Sequence, residues 1–116
     1  MKAVKTFAIF IYAPDSHNIP YLEWRDKLDA RTQATIKGRL KRIQLGSFGD
    51  SKHLDDGIWE LRIHYGPGYR IYFGRQGTSI VILLLGGDKR SQTRDIAKAK
   101  RYWIEYQKSK RGLPYD

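Results

Sequence analysis

The chain has 116 residues, no cysteine, and 22 Lys and Arg against 12 Asp and Glu, for a net charge of +10. One domain of this length buries roughly two-thirds of its unfolded surface, so a single core forms without disulfide or metal staples. Disulfide frameworks and cysteine zinc sites are excluded, and the lack of cysteine mildly favours a reducing compartment such as the cytoplasm. The positive balance favours polyanionic partners: RNA, DNA or an acidic protein.

The elements follow in order along the chain. Val4 to Tyr12 reads as a first strand; its apolar stretch is too short for a signal peptide, and no small-residue cleavage site follows. Pro20 opens a short helix carrying Leu22, Trp24 and Leu28, since its missing N–H is not needed at the first helical position. Asp29 caps a second helix, where Ile36, Leu40 and Ile43 fall on one face and Gly46 ends it. The turn-rich Gly46–Gly57 stretch places Lys52 and His53 in a mobile loop.

From Ile58 to Tyr65 the residues alternate. Trp59, Leu61, Ile63 and Tyr65 are expected in the core, and Glu60, Arg62 and His64 on an open sheet face. Gly66-Pro67-Gly68 turns the chain into a second strand, with Tyr69, Ile71 and Phe73 on one side and Arg70 and Tyr72 on the other. A second hairpin turn, Arg75 to Thr78, leads into the aliphatic run ending at Leu85, which suits a strand buried on both faces. That run, the longest apolar one, is far too short to span a bilayer, so no membrane partner is expected. Ser91 caps a last helix, with Ile96, Ala99, Trp103 and Tyr106 along one face and basic residues late in it. Residues 112–116 have little to pack and are expected to be disordered alone. The whole reads as one α+β domain, 1–111, with a short tail.

The order β-α-α-β-β-β-α, with a helical hairpin against one small twisted sheet, resembles the RelE/ParE toxin superfamily, closest to its HigB-like addiction-module killer branch. The segments Gly49–Phe73 and Leu83–Trp103 carry the resemblance, which covers almost the whole chain. It implies a type II toxin that is silenced by a small helix-turn-helix antitoxin. Operator DNA would then be bound only through that partner. For RelE and HigB relatives it also implies metal-free cleavage of messenger RNA on the ribosome, arresting translation and growth. Two other readings stand beside it: a ParE-like poison of DNA gyrase, and a decayed toxin that only binds its antitoxin.

Such cleavage needs a proton acceptor for the 2′-hydroxyl, cations around the phosphorane and a donor for the leaving 5′ oxygen. Arg62 is the first choice for the phosphate clamp, because a guanidinium fork matches two phosphate oxygens. Arg70 lies in a stretch that looks like the arginine-bearing GYR of RelE, and Lys89 and Arg90 match the basic pair after that family's last strand. Glu60 stands where RelE has a lysine, Arg62 where it has another, and Ile96 near its late tyrosine, so the acid and base are not carried over. Glu60 is a candidate base, with His53, His64 and Tyr72 as rivals; histidine has the more suitable ordinary pKa. Tyr72 is equally a candidate base-stacking residue or a residue packed beneath a helix, and Lys52, His53, His64 and Arg90 are expected to contact substrate.

Each residue has a plainer reading. Glu60 and Arg62 form a surface ion pair, Arg70 satisfies backbone carbonyls, and the loop histidines are merely solvated. The three histidines, at positions 17, 53 and 64, lack metal-ligand spacing, and neither glycine cluster has the sequence of a phosphate loop. No metal or cofactor is expected.

Overall fold

Pro20 at the first helical position starts α1 (Pro20–Asp26), and the Asp29 carboxylate accepts from the Thr32 N–H to start α2 (Ala30–Gln44). Residues 6–115 are described by this computed structural model. Their strands are β1 (Ala8–Tyr12), β2 (Ser51–His53), β3 (Ile58–Ile63), β4 (Tyr69–Gln76), β5 (Ile80–Gly87) and β6 (Gly112–Pro114); α3 (Gln92–Ser109) precedes the last. All six form one sheet in the order β2-β3-β4-β5-β1-β6. Only β1 and β5 run parallel, which their long separation in sequence permits, while the β3–β4–β5 meander is antiparallel. The chain is therefore α+β, with a single mixed sheet.

The hairpin helices and α3 lie on opposite faces of that sheet. Ile36, Leu40 and Ile43 of α2 pack with Leu61, Ile71, Phe73 and Leu83 on one face. On the other, Ala99, Trp103 and Tyr106 of α3 pack with Tyr12, Ile58, Tyr72 and Leu84. Clearance on this second face depends on Gly74. A Cβ there would sit 2.3 Å from the Trp103 ring, so the indole lies on bare backbone.

Four expectations change. Ser51–His53 is a strand paired to β3 rather than a mobile loop, because its backbone finds partners at Trp59 to Leu61. Gly112–Pro114 is ordered as an edge strand on β1 rather than a disordered tail. Ser91 stands at the start of α3, yet its hydroxyl caps nothing there; it donates to Asp95, while Asp88 caps the one-turn 3-10 helix at 89–91. Most consequentially, the polar face of β3 and β4 is not open. The start of α3 covers it, so Glu60 and Tyr72 are fully buried. The first residues of the expected N-terminal strand, Val4 and Lys5, lie outside the described residues.

Candidate phosphate-binding site

Arg62 on β3 and Arg70 on β4 are directly opposed in register, and Glu60 lies one pleat before Arg62 on the same face. Like charges opposed across a ladder repel, so an acid between them is required. Glu60 supplies it. Its Oε1 accepts from Arg62 Nε at 3.0 Å, and its Oε2 stands 3.6 Å from Arg70 Nε. Gln92, at the first turn of α3, donates to Oε2 at 2.8 Å and ties the helix to the carboxylate. The Arg62 side chain is 32% exposed and that of Arg70 13%, whereas Glu60 is closed off entirely. The guanidiniums thus retain solvent-facing edges above a buried anion.

Burial alone would push the Glu60 carboxyl up. Hydrogen bonds from Arg62 and Gln92 outweigh it and hold the group below the ordinary carboxylate range. The bond to Glu60 in turn raises Arg62 further. An ionised, enclosed carboxylate with both oxygens engaged orients cations; it does not relay protons, and the base role expected for Glu60 does not fit. Of the two readings of Tyr72, the structure shows packing beneath a helix, and the base-stacking and base roles do not fit. Burial, then the Glu60 charge, drives its phenol well up, and no ring face remains for stacking a base.

Of the other expected cations, Lys89 comes near. Arg70 Nη1 donates to the Gly68 carbonyl at 2.8 Å, and Gly68 adopts φ +80°, which suits glycine. A Cβ on Gly68 would lie 3.3 Å from Arg70 Nη1 and 3.7 Å from Lys89 Cβ, so Lys89 starts beside the Arg70 fork. Arg90 is exposed and reaches Asp88 at 3.5 Å. Lys52 pairs with Glu60 in register and is exposed at the sheet edge. His53 pairs instead with Trp59, on the opposite pleat, and packs against its ring at 4.8 Å; it does not join the arginines.

His64 does join them. It follows Arg62 by one pleat and its Nε2 is hydrogen-bonded to the Asp50 carboxylate. That bond chiefly holds Asp50 below the ordinary range, with the charges of Arg62 and Arg39 helping. Arg39 of α2 donates to the Arg62 carbonyl at 2.9 Å, which braces the strand from its other side. Asp50, Gln92 and Arg39 are the partners not expected from sequence. Their contacts span 14, 32 and 23 residues and follow no local periodicity.

Among the described residues no group of His, Asp and Glu is arranged to hold a metal ion, and no helix is long and apolar enough to cross a membrane. The arrangement is a set of cations braced by buried and exposed carboxylates, suited to a phosphodiester. Comparison with known proteins finds a Haemophilus influenzae protein described as uncharacterized, 53% identical over 78 residues, which are 66% of this chain and 79% of that one. The family description "Phage derived protein Gp49-like" matches residues 23–103, a span running from α1 to α3 and containing every residue of the arginine site. The chain belongs to this Gp49-like family, a family associated with toxin–antitoxin systems.

Proposed function

We propose that the protein is the toxin of a type II toxin–antitoxin pair and cleaves messenger RNA by attack of a 2′-hydroxyl on its own 3′ phosphate. Arg62 and Arg70 hold the non-bridging oxygens, as paired guanidiniums can, and stabilise the charge that grows in the phosphorane. His64 is the proton acceptor. With its Nε2–H donated to Asp50, Nδ1 carries the free lone pair. Lys89 is the proton donor to the departing 5′ oxygen. The new bond is 2′-O to phosphorus, the broken one is phosphorus to 5′-O, and the products are a 2′,3′-cyclic phosphate and a 5′-hydroxyl.

The observation that carries this reading is the Arg62–Glu60–Arg70 triad. A buried carboxylate pre-orients the partly exposed Arg62 guanidinium and the mostly buried Arg70 one before substrate arrives. The ribosome supplies the message, and a helix-turn-helix antitoxin silences the protein and carries the complex to operator DNA; both act in the cytoplasm. Expression without the antitoxin should stop translation and leave messages cut inside reading frames with cyclic-phosphate ends. Intact messages with an induced DNA-damage response would point to a gyrase poison, and unhindered growth to a decayed toxin.

A further inference from the structure

A second concavity lies beside the arginines. β1 and β5 are parallel, and ligands in parallel sheets collect beyond the carboxyl ends of the strands. At that end Tyr12 and Gly87 floor a cleft of about 550 Å³, with α1 on one side and α3 on the other. Trp24 lines it from α1, lying over Gly86 so closely that a Cβ there would be 2.3 Å from the ring. Tyr102 lines it from α3 and packs on Tyr12 at 5.3 Å. Two aromatic walls flank a space large enough for one nucleotide.

The cleft's charges say which part of a nucleotide enters. The Asp88 carboxylate accepts from the Arg90 and Ser91 N–H groups in the turn before α3, and Asp95 accepts from the Ser91 hydroxyl, so carboxylates crowd the approach to that helix end. Lys27, Arg94 and Lys98 also line the cleft and suit the flanking phosphates. Glu23 is exposed on the wall, and its carboxylate is the lining one with no hydrogen bond or ion pair among the described residues; Asp88, Asp95 and Glu105 are engaged. A free carboxylate between aromatic walls accepts from the amino edge of a base. Guanine, whose N1–H and N2–H donate side by side, matches two carboxylate oxygens best. Gly87 on the floor is the cross-strand partner of Arg70, so a base in the cleft and a phosphate on the arginines are neighbours on one strand of RNA.

We infer that this cleft is a base-selective nucleotide site, preferring an amino-bearing base and guanine first, next to the phosphate clamp; the inference rests on the RNA-cleavage reading above. The probes are five-residue RNAs, 2′-O-methylated throughout so that none is cut, with uridine everywhere except a central G, A, C or U. Fluorescence anisotropy at one fixed salt concentration reads their affinities for the wild-type chain, Glu23→Gln and Arg62→Ala. The central-G probe should bind about tenfold tighter than the all-U probe, as one good bidentate pair allows. Glu23→Gln, an exposed change that leaves the core alone, should bring the two within about twofold, while Arg62→Ala weakens all four probes alike. Equal affinity for the four probes, or a preference that survives Glu23→Gln, overturns the base site and leaves the clamp intact. Failure of the wild-type chain to bind any probe would overturn both.

Discussion

Arg62 and Arg70 stand directly opposite one another on adjacent strands, and the one carboxylate between them, Glu60, is sealed beneath α3. Opposed cations at that spacing destabilise a sheet. They persist here because a buried anion, itself tied to α3 by Gln92, lies between them. The stability of the sheet and the readiness of the clamp therefore depend on the same carboxylate.

Removing that carboxylate leaves two arginines facing each other without compensation. Glu60→Ala should lose about 3 kcal/mol of stability in urea unfolding, the scale expected when one partner of a buried pair is taken away. Gln92→Ala should cost only about 1 kcal/mol, since it deletes one hydrogen bond to a charge that keeps Arg62. A Glu60→Ala chain as stable as wild type would mean that the arginines do not need it.

The pH dependence has a definite sign. The folded-state pKa of Glu60 is depressed below its ordinary 4.5, so its contribution is complete above that value and is lost as pH falls through the folded-state value. Wild type should thus lose stability relative to Glu60→Gln only below about pH 4.5, with the gap constant from there to neutrality. Parallel stability curves for the two chains across the acid range would contradict the assignment.

Packing on bare backbone predicts a different failure. Gly74→Ala would drive a methyl into the Trp103 ring, and overpacking of this kind costs about 1–3 kcal/mol. Thermal unfolding should register the loss, and the near-ultraviolet signal of the indole should change. Gly77→Ala meets no atom within 4 Å and would show only the strain of its φ of +62°.

Edge strand β6 covers the outer side of β1, pairing Gly112 to Pro114 against Tyr12 to Phe10. Deleting residues 112–116 should cost at least about 1 kcal/mol through lost backbone bonds. It should also raise aggregation by baring a β1 edge. Light scattering during refolding, beside a urea melt, checks both.

Local chemistry made much of this legible in the sequence. Pro20 and Asp29 announce helix starts because proline and aspartate act within their own turn, and the alternation of β3 and β4 shows because strands have a two-residue period. The same alternation places Arg62 and Arg70 on one face. It does not say what covers that face. Glu60 reads as a surface residue and Tyr72 as either exposed or covered, yet α3, joined through the one-turn 3-10 helix after Gly87, folds back over both, and Gln92 reaches Glu60 across 32 positions. Asp50 was hidden for the same reason. A loop aspartate acquires its partner only when β2 docks on β3 and brings it to His64. The tail failed differently: three residues carry no strand signal, and β1 supplies the template.

Arg62→Ala and Arg70→Ala, each expressed from an inducible promoter without antitoxin, bear most heavily on the proposed chemistry when the 5′ ends of cellular messages are mapped after induction. Each should cut at least about a hundredfold more slowly than wild type, the loss usual for one transition-state donor, and should spare growth while the purified chains stay folded. Cleavage and growth arrest unchanged in both folded variants would contradict the clamp and remove the arginines from the reaction.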